Sequence, residues 1–292
     1  MTEAAGGEAG ISLGSNDYGK SGIRLVRVRR DAGRHELWDL LVAVSLEGDF
    51  VAAHVDGDNA KLLTTDTMRN TVYALAKDYL TGSIEDFGLA LASHFLAAGP
   101  TVEKATVRIT RFPWDRIEVD GRPHEHSFVR AAGERNATVT EGNGTRRIEA
   151  GLDNLLVMKT AGSGFEGFLR ERFTTLRETD DRILATVVTA SWSYGDATGL
   201  DFDGLWNGVR EQILSTFTDH YSPSVQSTLY GMGRAVLEAY PEVEKIRFSL
   251  PNKHHHLFDL SPFGIENENE IFHATSEPYG LIEGTVERRA DP

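Results

Sequence analysis

The chain uses one short sequence twice, and that repeat constrains its fold more than any other feature. Pro100-Thr-Val-Glu-Lys104 leads into Val107-Arg-Ile-Thr110, and Pro241-Glu-Val-Glu-Lys245 leads into Ile246-Arg-Phe-Ser249. Each copy closes a stretch of helical spacing and opens one of strand character. Upstream of the first copy, residues 23–29 alternate apolar and basic side chains, and 36–50 form a second β-rich stretch. Asp31-Ala-Gly-Arg34 supplies turn chemistry between them, so a hairpin is predicted. Helical spacing follows at 67–80 (Val72, Leu75, Ala76, Tyr79) and at 83–97 (Ile84, Phe87, Leu91, Phe95). Ser83 with Glu85 and Asp86 makes an acidic helix start, and a strand is expected at 102–112.

The second half keeps this order. Strands are expected at 152–159 and 183–194, helices at 201–219 and 223–239, and a strand at 244–250. A ββααββ unit used twice accounts for both halves. Sequence-adjacent strands and paired helices imply antiparallel sheets with helices on one face, an α+β fold. The expected units span 11–145 and 146–292, after a Gly/Ala-rich N-terminus at 1–10 that is expected to be disordered.

Composition narrows the function. A chain of 292 residues that is 40% hydrophobic can bury a sizeable core. The net charge of −14, from 30 basic and 44 acidic residues, argues against a nucleic-acid partner, because a duplex binder must neutralise phosphates. An anionic substrate would need locally placed cations to overcome that field. With Cys at 0, disulfides, thiolate catalysis and Cys-ligated metals are excluded. No apolar run approaches the ~20 residues of a membrane span. The start lacks the basic and apolar regions of a signal peptide and the end carries no Ser-Lys-Leu address, so a cytoplasmic location is expected.

Two motifs invite readings that their surroundings do not support. Gly14-Ser-Asn-Asp-Tyr-Gly19-Lys20-Ser21 fits the phosphate-loop pattern, but that loop needs a helix after it so that backbone N–H groups meet the phosphates. Here the following segment alternates with the period of a strand. His254-His255-His256 could place two imidazoles on one strand face near Asp259, and His124 with His126 forms a second pair. Neither ligand set is complete, and no functional metal is expected.

Residues 155–182 carry a resemblance of a different specificity. Lys159, Ser163, Phe165, Phe168, Phe173, Leu176 and Arg182 keep the offsets of the uricase signature, with mild departures at Met158 and Ala161. Tyr18-Gly-Lys20, Thr64-Thr-Asp-Thr67 with Asn70-Thr71, Ser224-Val-Gln226, Ser249-Leu-Pro-Asn252-Lys-His254 and Gly280-Leu-Ile282 are also similar to uricases. The resemblance runs from about residue 11 to 287, in order.

It implies a tunnelling fold, two ββααββ units per chain, and a homotetramer whose barrel holds active sites between subunits. It also implies a cofactor-free enzyme that oxidises urate with oxygen and water to 5-hydroxyisourate and hydrogen peroxide. Phe165 would stack on the purine and Arg182 would present its fork to one edge. Gln226 would clamp another edge, with backbone groups of Val225 and Asp66 completing the plane. Leu176 and Ile282 would add apolar surface. Lys20, Thr65 and His254 would form a proton relay, and Asn252 with Thr65 would hold oxygen and then water over the ring. Read singly, Phe165 fits ordinary core packing, Arg182 an ion pair with Glu178 or Asp180, and Lys20 and His254 solvated positions. Two other readings compete: a tunnelling-fold enzyme acting on a pterin or guanine nucleotide, and a purine-binding module without activity.

Overall fold

In the computed structural model, residues 10–30 and 33–289 are described. The expected disorder at 1–10 falls almost wholly outside them, as do Asp31 and Ala32 of the expected turn. The chain divides into two compact units. One comprises the chain up to Arg111 with Ala137–Ile148, the other Phe112–Asn136 with the residues from Glu149 onward.

The first unit contains β1 (Tyr18–Arg29), β2 (Glu36–Gly48), the short α1 (Val51–Val55), α2 (Thr65–Tyr79), α3 (Ile84–Ala98) and β3 (Val102–Arg111). After the outlying hairpin of β4 (Trp114–Val119) and β5 (Arg122–Arg130), β6 (Glu134–Gly142) completes the order β1-β2-β3-β6. The predicted hairpin is present: β1 and β2 pair antiparallel from Tyr18↔Leu46 to Arg29↔Glu36. Ser83 caps α3 by accepting the Asp86 N–H at 3.0 Å. Ile84, Phe87, Leu91 and Phe95, spaced three or four apart, are fully buried.

The second unit contains β7 (Thr145–Lys159) from Glu149 onward, β8 (Leu184–Tyr194), α4 (Phe202–Asp219), α5 (Val225–Ala239), β9 (Val243–Lys253), the small pair β10 (His255–Leu257) and β11 (Phe272–Ala274), and β12 (Gly280–Glu287). Its strand order is β7-β8-β9-β12, and each neighbouring pair is antiparallel. Apart from the short α1 and the small pair β10 and β11, two strands, two helices and two strands recur in each unit, so the α+β fold with a duplicated ββααββ plan is the observed one.

The repeated pentapeptide is in structural register. Val102 and Val243, Ala105 and Ile246, Val107 and Phe248, and Ile109 and Leu250 are buried in matching order. The same tight turn precedes each strand: the Val102 N–H donates to the Gly99 carbonyl at 2.9 Å, and the Val243 N–H to the Tyr240 carbonyl at 3.1 Å. The likeness of Val107-Arg-Ile-Thr110 to Ile246-Arg-Phe-Ser249 is out of register, because Ala105 holds the place of Ile246. Burial, rather than letter identity, aligns the two strands.

This packing delivers site residues by strand alternation. Ile246, Phe248 and Leu250 are fully buried on one face of β9, and Asn252 continues that face at the strand's end. Ile282 on β12 pairs with Leu250, and Gly280 pairs with Asn252. Direct partners in an antiparallel pair share a face, so the glycine leaves one flank of Asn252 without a side chain.

Candidate active site

The expected site residues fall into two groups, one in each unit. In the second unit they rest on a long loop from 160 to 183, on the start of α5 and on the end of β9. The loop is closed by its own backbone. Phe165 and Thr179 exchange N–H···O bonds at 2.6 and 3.2 Å, and the Arg182 N–H donates to the Ser163 carbonyl at 2.9 Å. The segment before α5 ties in beside it: the Gly164 N–H donates to the Ser222 carbonyl and the Ser222 N–H to the Gly162 carbonyl, both at 2.9 Å. A Cβ on Gly164 would lie 2.3 Å from the Tyr221 hydroxyl and 2.9 Å from the Thr179 carbonyl. Gly164→Ala is therefore expected to lower stability by about 1–3 kcal/mol through overpacking. A thermal melt equal to that of the parent protein would show that the loop closes otherwise.

Within this frame, Arg182 and Phe165 meet. The guanidinium carbon is 5.3 Å from the Phe165 ring centroid, a cation–π distance, and Phe168 stacks on Phe165 at 5.1 Å and 12°. Arg182 Nε lies 3.4 Å from the Ser163 hydroxyl oxygen. Among the described residues Arg182 has no carboxylate at ion-pair distance, and the Glu178 carboxylate instead accepts the Gly167 N–H at 3.2 Å. Burial lowers the Arg182 pKa, yet a guanidinium remains charged at neutral pH. The result is a half-buried cation, set beside an aromatic face, with donors available to an anion.

The start of α5 adds further donors. Ser224 caps the helix by accepting the Ser227 N–H at 3.1 Å. The N–H groups of the first turn have no partner inside a helix, so those of Val225 and Gln226 are directed out of its end. Val225 is buried and the Gln226 side chain is exposed. At the end of β9, Asn252 and His254 are half-buried. Burial, together with His256, Arg182 and His255, lowers the His254 pKa, so its ring is neutral at pH 7. Leu176 lies on the loop and is 55% exposed, whereas Ile282 is half-buried on β12.

In the first unit, Thr64 caps α2 by accepting the Thr67 N–H at 3.0 Å, which places Thr65 and Asp66 in the first turn. Asp66 pairs with Arg69 at 2.6 Å and accepts from Asn70 at 3.0 Å. The strand bearing Lys20 is held to this helix start through Tyr18. Its hydroxyl donates to the Leu63 carbonyl at 3.1 Å and accepts the Leu63 N–H at 2.9 Å. Gly19 lets β1 run close against β2, because a Cβ there would meet the Val44 carbonyl oxygen at 1.9 Å. Gly19, Lys20 and Ser21 lie inside β1, so the phosphate-loop pattern is followed by a strand and lacks the helix its chemistry requires.

The imidazole pairs are now placed. His254 and His256 stack with centroids 5.6 Å apart, and His124 and His126 meet edge to face at 4.5 Å. Among the described residues no group of three His, Asp or Glu is arranged to hold a metal ion. No described helix is long and apolar enough to cross a membrane.

Several contributors escape sequence reasoning. Ser222, Thr228, His220 and Tyr221 hold the loop of Phe165 and the start of α5 together, and Tyr18, matched in sequence without a role, ties β1 to the start of α2. The available signal is Ser222-Pro-Ser224, which offers one hydroxyl more than a helix cap uses.

Comparison with known proteins bears on this arrangement as a whole. The family model described as Uricase matches residues 16–141 and 148–283. A uricase of Arthrobacter globiformis is 47% identical over 285 residues, which is 96% of this chain and 92% of that protein. A uricase of Dictyostelium discoideum is 40% identical over 281 residues, covering 95% of this chain and 98% of its own. The crystal structure of the Arthrobacter globiformis uricase superposes with a TM-score of 0.91 at 46% identity, covering 97% of this chain and 98% of that one. The matched segments contain both groups of site residues, and the chain belongs to the uricase family.

Proposed function

We propose that this protein is a urate oxidase that uses no cofactor, converting urate, oxygen and water to 5-hydroxyisourate and hydrogen peroxide. The observation that carries the reading is Arg182, a half-buried guanidinium without a carboxylate partner among the described residues, beside the Phe165 ring and in the same unit as the capped start of α5. Urate is a planar anion with carbonyl and N–H edges. Phe165 supplies a face, Arg182 a bidentate fork, and the Val225 N–H with the Gln226 carboxamide a second edge. In a chain of net charge −14, such local cations are what an anionic substrate requires.

Oxygen in its triplet ground state reacts slowly with closed-shell molecules. Removal of a further proton from urate gives a dianion that can donate one electron to oxygen. The protein's work is then proton transfer and orientation. In this reading Lys20 draws the proton through the Thr65 hydroxyl, and His254 completes the relay. Asn252 and Thr65 hold oxygen and afterwards the water that attacks the oxidised ring. Asp66 contributes a backbone donor, and Leu176 and Ile282 supply apolar surface. The first-unit group comes from a neighbouring subunit, in a homotetramer whose sheets form a barrel, and the protein works in the cytoplasm.

The reading is tested by following the near-ultraviolet absorbance of urate in air and under argon, with peroxide measured alongside. Loss of urate only in air, with peroxide formed, is expected; absence of turnover by the aerobic protein would reject the reading. His254 gives a further expectation. Its lowered pKa keeps it a proton acceptor through neutral pH, so kcat/KM should fall only as pH drops below the ordinary imidazole value of about 6.5. In His254→Asn that acid limb should disappear at a lower overall rate. An unchanged limb would assign it to another group.

A further inference from the structure

Ser222 occupies the joint between the two halves of the second-unit site. Its backbone pairs with Gly162 and Gly164, which flank Ser163 immediately before Phe165. Its hydroxyl reaches the other way, lying 3.2 Å from the Ser224 carbonyl oxygen and donating to the Thr228 hydroxyl in the first turn and a half of α5. Thr228 Oγ1 in turn donates to the Ser224 carbonyl at 3.1 Å and lies 3.1 Å from His220 Nε2. Lys159 on β7 anchors the far end by donating to the His220 carbonyl at 2.6 Å. Ser163 and Ser222 are fully buried and Thr228 is nearly so, so water does not compete for these bonds.

A helix start needs none of this. Ser224 alone caps α5, and its carbonyl would ordinarily accept the Thr228 N–H, which it does at 3.2 Å. The additional hydroxyls fix where the helix end stands relative to the Phe165 loop. We propose that Ser222 is a positioning residue for the substrate, one that sets the separation between the Phe165–Arg182 face and the Val225–Gln226 edge clamp through its hydroxyl contact with Thr228. The proposal rests on the urate-binding reading above. A planar purine clamped on both sides tolerates little error in that separation, since misplacement on the scale of an ångström costs a large part of the productive geometry.

The test compares Ser222→Ala in the parent protein and in Gln226→Ala, with urate as the substrate. If Ser222 acts through the clamp, Ser222→Ala raises KM about 5- to 20-fold and lowers kcat less than about threefold. In the Gln226→Ala background the same change should move KM less than about twofold, because the group it positions is gone. Equal effects in the two backgrounds, or an unchanged KM in the parent, would overturn the proposal. Thr228→Val removes the same contact from the helix side and carries the same expectation if Ser222→Ala does not fold. A parent protein that does not consume urate would overturn this inference together with the reading beneath it, whereas a parent that turns over with equal effects in both backgrounds would overturn the inference alone.

Discussion

Lys20→Met is expected to lower kcat by about 10²- to 10⁴-fold, the range supplied by a positioned proton-transfer group, while leaving urate binding within a few-fold of the parent. The expectation follows from the separation of tasks between the two groups of residues. Apart from the Asp66 backbone, the face and edge donors that would bind urate belong to the second unit, on the loop of Phe165 and Arg182 and at the start of α5. Lys20 belongs to the first, on the strand that Tyr18 holds to Leu63, just before Thr65. Removing its amine takes away a proton acceptor and no binding contact. Thr65→Ala should act in the same direction, since the hydroxyl links Lys20 to the substrate in this account. Steady-state kinetics, with equilibrium binding of a purine that cannot be oxidised, separates the two effects. Loss of binding with kcat preserved would move Lys20 from the relay to the binding surface.

Arg182→Lys should be nearly as damaging as Arg182→Ala. Each bond from a charged donor is worth about 1.5–3 kcal/mol, so losing a bidentate pair should reduce kcat/KM by roughly 10²- to 10⁴-fold. Lysine keeps the charge but not the planar fork, and it cannot meet an adjacent oxygen and nitrogen together. The parent side chain is also prearranged: its backbone is fixed to Ser163 at 2.9 Å, and the guanidinium is held near the Phe165 ring. The measurement is kcat/KM for both variants. A lysine variant within about fivefold of the parent would mean that charge alone is recognised, and that the bidentate geometry is not used.

The helices and central strands were legible because their side chains carry strong periodic signals. The spacing of Ile84, Phe87, Leu91 and Phe95 marks α3, and Ser83 marks its start. α2 begins at Thr65 rather than 67 because Thr64 makes the cap, and α5 begins at Val225 rather than 223 because Ser224 does. The elements not anticipated are those in which the chain buries little. β4 and β5 are exposed along most of their length, so no apolar alternation is written into them. β6 buries Ala137 and Val139 between polar residues, and β12 alternates only between half-buried and exposed positions. β10 and β11 are three residues each, too short for any period to register.

The site was legible in a different way. Phe165, Arg182, Gln226 and His254 are ordinary residue types, and only their resemblance to a family pattern singled them out. Physical chemistry then accounts for what the fold does with them: a cation without a carboxylate among the described residues, an aromatic face beside it, and an imidazole whose burial favours its neutral form. The supporting bonds of Ser222, Thr228 and Tyr18 depend on backbone groups distant in sequence. Serine and tyrosine hydroxyls have many possible partners, and no linear spacing selects one.

In our reading these residues oxidise urate without help from a metal or an organic cofactor. Its most direct test is aerobic turnover by protein that has been exhaustively dialysed against a strong chelator and then desalted, beside an untreated sample. Equal rates are expected, with one peroxide formed for each urate consumed; loss of activity on dialysis, restored by adding back a metal ion or the dialysate, would overturn the cofactor-free reading.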